Sequence, residues 1–280
     1  DGDSPIAHLM RLEGQAVSLQ GELSGAVQEG RGVFAVRAGQ AELASGELLW
    51  ANAQWSTDMS VDLAAWPLLG DMPGAALQEA RLAASGELSG PDLGRARLSA
   101  DGVDAQVERD DLEWRLSAQL DGEMLSAFLP PDVALANAGF SGRLVLDGGQ
   151  RLTGELVLTG LQHRQGHLTE LAGPVNVLRD AAGLTMEADL VASGLTLAEP
   201  RLTALIGDEA WIVLQARALG ESYQLDRLHL TTPAVSFTAT GAIESGHPQF
   251  VTQLDLTDVG WLRSDLSGPL SVSVTSENID

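Results

Sequence analysis

The sequence predicts an all-β protein built as a long antiparallel meander, and three observations predict it. Apolar and polar residues alternate in strand-length runs from one end of the chain to the other. Leu112, Trp114, Leu116, Ala118 and Leu120 are interleaved with Glu113, Arg115, Ser117 and Gln119, a period of two that sends each set to its own face of a strand. Turn signals recur about every eight to fifteen residues, a spacing that implies roughly 18–22 strands. They include Ala38-Gly39, Asp101-Gly102, Asp147-Gly148-Gly149 and Leu219-Gly220. Loops this short leave no room for the crossover helices of parallel βαβ units.

The elements follow in order. Turns at Glu29-Gly30 and Ala38-Gly39 bracket the run Val33–Arg37, and Met59–Leu63 is the next run. Ala64–Leu77 holds Trp66-Pro67 and Met72-Pro73, so its two prolines allow a short helical turn at most. After Leu112–Leu120 comes the turn signal Asp121-Gly122. Glu123–Leu129 then stops at Pro130-Pro131, one or two helical turns that close an end. Leu144 and Leu146 lead through a glycine turn into Leu152, Leu156 and Leu158. His163–Leu171 fits helix and strand equally. Leu184, Met186 and Leu190 form the next in-phase set, followed by Ile212 and Leu214, then Leu228 and Leu230. Val235 and Phe237 open the run to Ile243, Leu254 and Leu256 belong to the next, and Leu270, Val272 and Val274 end the pattern. With Leu112, Trp114, Leu116 and Leu120, these in-phase residues are the candidates to line an interior. No Ser/Pro tract or charge shift marks a linker, so residues 1–280 read as one continuous β-segment.

Glycine falls repeatedly beside these runs, as in Ser45-Gly46-Glu47-Leu48 and Ser85-Gly86-Glu87-Leu88. A glycine within a strand marks a bulge or bend, so the sheet is expected to bend at intervals. The spacing is too irregular for a strict solenoid.

Composition narrows the function. The formal charge is −23 and all sixteen basic residues are arginine. Phosphate backbones would repel such a chain, which excludes nucleic acid as a partner and disfavours lying flat on an anionic bilayer. There is no cysteine, hence no disulfide, thiolate metal site or catalytic thiol. Aromatics are only 4% of the chain, and an interior of Leu, Ala and Val is a smooth trough more than a shaped pocket. No stretch approaches the ~20 apolar residues of a membrane span. The opening Asp1-Gly2-Asp3-Ser4-Pro5 has neither a basic nor an apolar signal region. It begins in mid-pattern and reads as a segment of a longer protein.

The usual chemical constellations are missing. No Gly-x-Ser-x-Gly elbow, Walker loop or dinucleotide fingerprint occurs. His163 and His167 stand at i, i+4, which would aim both at a metal if the segment were helical; without a carboxylate in register they read as a solvated turn. Asp110-Asp111 beside Glu108-Arg109 reads as a polar turn and not an acid–base pair. His229, between Leu228 and Leu230, is expected to face solvent. The six tryptophans are scattered and read as sheet packing, with Trp114 and Phe237 in phase to line an interior. No cofactor and no enzymatic activity are expected.

Three stretches carry a resemblance. One is Leu82-Ala83-Ala84-Ser85-Gly86-Glu87-Leu88-Ser89-Gly90-Pro91-Asp92-Leu93 running into Arg97-Leu98-Ser99-Ala100-Asp101-Gly102-Val103. The others are Leu228–Gly241 and Trp261-Leu262 followed by Asp265-Leu266-Ser267-Gly268-Pro269-Leu270. They resemble repeats of the TamB and wider AsmA-like family. The resemblance implies a U-shaped, open β-groove with an apolar interior, in a protein anchored in the inner membrane of Gram-negative bacteria and crossing the periplasm. It also implies phospholipid as the partner, carried between membranes in support of outer-membrane biogenesis. A TamA-like outer-membrane barrel would be met through regions outside this segment. With strands crossing the groove axis, ~20 strands at about 4.8 Å give a trough of roughly 95 Å.

A sheet with one apolar face must hold something apolar, pair with a partner, or close on itself. The first gives a lipid-conducting groove. The second gives a structural or chaperone module that assists outer-membrane protein (autotransporter) assembly by pairing exposed edge strands with client strands. The third gives a dry, closed β-structure such as an adhesin-like stalk.

Overall fold

Strand after strand forms where the period of two runs, and the chain reverses where two adjacent residues accept a tight turn. The computed structural model describes residues 17–62, 80–87, 93–110, 113–126, 129–146, 149–180, 183–220, 222–244, 247–261 and 265–276. The chain divides into two units, Asp1–Leu129 and Pro130–Asp280. Both are all-β antiparallel meanders, open and not closed into barrels.

Unit 1 contains β1 (Val17–Ala26), β2 (Glu29–Ala38), β3 (Ala41–Ala51), β4 (Gln54–Val61), β5 (Ala80–Glu87), β6 (Leu93–Ala100), β7 (Val103–Asp110), β8 (Glu113–Asp121) and a short helix α1 (Gly122–Ser126). Each strand pairs with the next. The β3–β4 hairpin turns through Asn52 and Ala53, both at positive φ (53° and 63°), the geometry of a two-residue hairpin that matches strand twist. Asn tolerates that conformation; Ala53 is held there against its preference, with Trp50 and Trp55 paired directly below.

Unit 2 contains β9 (Val133–Ala134), β10 (Asn137–Leu146), β11 (Gln150–His163), β12 (Gly166–Asp180), β13 (Gly183–Ser193), β14 (Thr196–Leu197), β15 (Glu209–Leu219), β16 (Ser222–Thr231), β17 (Val235–Glu244), β18 (His247–Leu256) and β19 (Leu270–Ser276). A helix α2 (Pro200–Ile206) follows β14, and a 3-10 turn spans Val259–Trp261. The main strands run β10-β11-β12-β13-β15-β16-β17-β18-β19, with the two-residue β9 and β14 added beside β11 and β12.

The structure corrects two turn signals and resolves one segment that fitted helix and strand equally. Glu29-Gly30 is not a turn: the chain reverses at Val27-Gln28, and Gly30 sits inside β2 because the Trp50 ring occupies the space a side chain there would need. Asp121-Gly122 starts α1, Asp121 Oδ1 accepting the Met124 N–H at 3.1 Å as a helix cap. His163–Leu171 is a hairpin in which β11 turns into β12, so no helical face brings His163 and His167 together. The candidate turn of helix at Ala64–Leu77 lies outside the described residues.

Burial is concentrated at one end of the strands in each unit. In unit 1, Ala44, Val61 and Ala80 are buried against Met59, Leu82 and Leu98. In unit 2, Leu205 of α2 packs on Ala234, Val235 and Leu256, with Ile206 and Leu254 beside them. α2 is set for this by Pro200 in its first turn and by Gly207 at φ 82° after its last. Thr203 Oγ1 ties it to β14 by accepting the Leu197 N–H at 2.8 Å.

Candidate functional site

Residues paired directly across an antiparallel ladder share a face, so register settles which candidates come together. In unit 2, Leu190, Ile212, Leu230, Phe237, Leu254 and Val272 are successive cross-strand partners on six strands. A second row runs Leu144, Leu152, Val177, Met186, Ala216, Leu225, Gly241, Phe250. Leu146, Leu156, Leu158, Leu184, Leu214, Leu228, Val235, Leu256, Leu270 and Val274 lie on this same face. Nine main strands with eight spacings make it about 38 Å across the strands.

Unit 1 repeats the arrangement. Trp114, Leu116 and Leu120 pair with Arg109, Val107 and Val103 of β7, and the face continues through Leu98, Leu82 and Met59 to Gly46 and Phe34. The Arg109 guanidinium lies 5.8 Å from the Trp114 ring centroid, a cation–π contact. Leu112 lies outside the described residues.

The opposite faces are polar, and several of their arginines are paired with carboxylates on the next strand. Arg37–Glu42, Arg81–Asp58, Arg95–Glu108 and Arg97–Asp104 bridge neighbouring strands in unit 1, and Arg217–Asp226 does so in unit 2. The Arg81 guanidinium holds the Asp58 carboxyl below its usual range, and Arg217 does the same to Asp226. Asp255 is lowered by hydrogen bonds from Ser271 and then Gln253. Trp211 also faces this side, 42% exposed and out of phase with its apolar neighbours Ile212 and Ala210.

Exposure varies along the apolar face. Val235 and Leu256 are buried beneath α2 and Leu190 is buried within the sheet, whereas Leu146, Leu184 and Val274 are 55%, 41% and 57% exposed. At this uncovered end of unit 2 a cavity of about 280 Å³ is lined by Leu184, Met186, Tyr223, Leu225, Ile243 and Phe250, with Ala216 and Ala218 in its floor. The cavity spans five neighbouring strands, with the two alanines between larger side chains.

Several lining residues escape the alternation. Leu225 and Tyr223 enter the face because a bulge between Leu225 and Leu228 shifts β16 by one residue. Asp226 and Arg227 both fall at that irregularity, so the odd-numbered Leu225 replaces an even-numbered position. Phe140 was hidden by its glycines: its ring lies over Gly142 and Gly154, which a side chain at either position would meet. Gly241 is covered by Phe250 in the same way. An aromatic two residues from, or directly across from, a strand glycine was the available signal.

The described histidine candidates are held in local hydrogen bonds, and Asp111 of the Asp110-Asp111 pair lies outside the described residues. His163 Nε2 bonds Asp132 at 2.9 Å and its Nδ1 accepts the Gln165 N–H. His229 does not point freely to solvent. Its Nε2 lies 3.2 Å from Ser236 Oγ and 2.9 Å from Thr231 Oγ1, while Arg227 Nη2 stands 3.3 Å from Nδ1. With Arg227 donating to Nδ1, the proton sits on Nε2 facing the Thr231 and Ser236 hydroxyls, an arrangement in which His229 is a donor and not a base toward Ser236. Among the described residues no three His, Asp or Glu side chains group to hold a metal, and no helix is long and apolar enough to cross a membrane. Comparison with protein-family models, curated proteins and solved structures returned no match.

Proposed function

We propose that this chain binds phospholipid acyl chains along the apolar faces of its sheets and serves as part of a conduit between membranes. The observation that carries the reading is the register itself. Apolar side chains meet directly across up to eight consecutive strands, while ion pairs occupy the reverse face. Each CH₂ removed from water on such a surface gains about 0.8 kcal/mol. A lining of Leu, Ala and Val offers similar contacts at every step, so a bound chain is held yet free to slide. Charged head groups stay at the open margin because burying them is costly. No step needs a catalytic group. The resemblance of three stretches to TamB- and AsmA-like repeats supports a periplasmic conduit that serves outer-membrane biogenesis.

The test is native mass spectrometry with lipid extraction on protein purified without detergent. The expected result is one or more phospholipids per chain, lost in Leu116→Arg and Leu156→Arg while both variants keep their β circular dichroism. A lipid-free mass for a well-folded chain would overturn the reading.

One observation favours the second reading, a strand-pairing module for outer-membrane protein assembly. β1 and β19 each pair on one side among the described residues, and Leu19 and Leu23 are 72% and 73% exposed. Under that reading, prolines at Ser271 and Ser273 would abolish client binding and the groove arginines would not.

A further inference from the structure

The outermost cross-strand row at the uncovered end of unit 2 differs from every row inside it. It reads Leu146, Gln150, Arg179, Leu184, Ala218, Tyr223, Ile243 from β10 to β17. All seven residues sit on the apolar face, yet three of them carry polar groups. Gln150 brings an amide, Arg179 a guanidinium and Tyr223 a hydroxyl. None of the seven is acidic, in a chain whose formal charge is −23. No described residue pairs with the side chains of Gln150, Arg179 or Tyr223, whereas five other arginines, Arg37, Arg81, Arg95, Arg97 and Arg217, are matched to carboxylates on the polar faces. Asp180, next in the chain, turns back on itself and accepts the Gly183 N–H at 3.2 Å.

Leu184, Ala218, Tyr223 and Ile243 of this row also line the 280 Å³ apolar cavity, and Leu184 is the cross-strand partner of Arg179. The cavity's size is near the lower limit for small-molecule sites, so it suits a single hydrocarbon chain. At the other end of the face Leu205 and Ile206 of α2 cover Val235 and Leu256, while the Arg179 end carries no such cover among the described residues. Between Ala218 and Ala210 the face runs eight residues, about 27 Å, against about 15 Å for one leaflet's share of a bilayer core. A whole acyl chain therefore fits between rim and cover.

We infer that this rim is an entry subsite for anionic amphiphiles: Arg179 takes the phosphate, its cross-strand neighbour Gln150 flanks it, and the acyl chain passes over Leu184 into the cavity that Tyr223 helps to line. The inference rests on the groove reading and adds to it a place, a direction and a head-group charge. An arginine fork suits a phosphate oxygen pair, and it would have no such role if the cargo were neutral.

Isothermal titration of the whole chain, below micellar concentrations, tests it with three probes: 1-lauroyl lysophosphatidic acid, the neutral monoacylglycerol of the same chain, and glycerol phosphate. The lysophosphatidic acid should bind about tenfold more tightly than the monoacylglycerol, as for a charge-assisted hydrogen bond, and glycerol phosphate should not bind. Arg179→Gln should erase that tenfold difference, and Arg179→Lys should restore part of it. Ala216→Trp, which fills the cavity, should weaken both amphiphiles. Leu184→Glu, at an exposed position that tolerates change, should weaken the anionic one more. Equal binding of both amphiphiles to all variants would overturn the subsite and leave the groove reading standing. Binding of glycerol phosphate as tight as that of the lipid would make it a free-phosphate site and overturn it too. Absence of binding by either amphiphile would overturn subsite and groove together.

Discussion

Asp226 shows how much one residue decides. It falls where β16 slips its register, and its carboxylate grips Arg217 with two hydrogen bonds of 2.6 and 2.7 Å. Without the slip, Leu225 would face the polar side and the cavity would lose a wall. Arg217 lowers the Asp226 carboxyl below its ordinary value of 3.8. The pair's contribution is therefore full above that value and is lost as pH falls through the lowered one. Melting temperature measured from pH 5 down to 2.5 should fall less steeply in Asp226→Asn than in the parent, and that variant should also lose part of the apolar cavity's ligand affinity.

At the scale of elements, α2 does more than join two strands. Its Leu205 is the point at which the single-layered sheet of unit 2 acquires a second layer, against Ala234, Val235 and Leu256. Leu205→Ala removes buried methyl groups from a site that cannot collapse easily, at a cost of about 2–4 kcal/mol. Urea denaturation should record that loss. An apolar dye should bind the variant more strongly, because the covered end of the face opens. The strand glycines act at this scale too. Gly142 faces Gly154 across β10 and β11, where a side chain at either would strike backbone oxygen at 2.3 Å. The empty pair admits the Phe140 ring and lets the two strands bend toward the apolar side.

Across the molecule, charge and edges work against each other. Among the described residues β1 and β19 each pair on one side only, with exposed Leu and Val beside them, the arrangement that invites strand-to-strand association. A formal charge of −23 opposes it through repulsion between copies. Near the isoelectric point, about 4.3, that repulsion vanishes. Light scattering should then show reversible self-association at pH 4.3 that is absent at pH 7, and a proline at Ser273 in β19 should reduce it.

The sequence by itself determined the strand content, the antiparallel order and the identity of most of the apolar face. A period of two is a local property, and short turns fix the partner of each strand without reference to the rest of the chain. Leu144, Met186, Ile212 and Leu254 could be placed on one face for that reason. Tertiary structure alone decided where the alternation breaks and where the face is covered. The bulge that recruits Leu225, the glycines that make room for Phe140, and the seat of Leu205 on Val235 all depend on contacts between residues distant in sequence. The Gln150–Arg179–Tyr223 row became visible only through the same pairings, since one register partner at a time carries each of these residues to the rim.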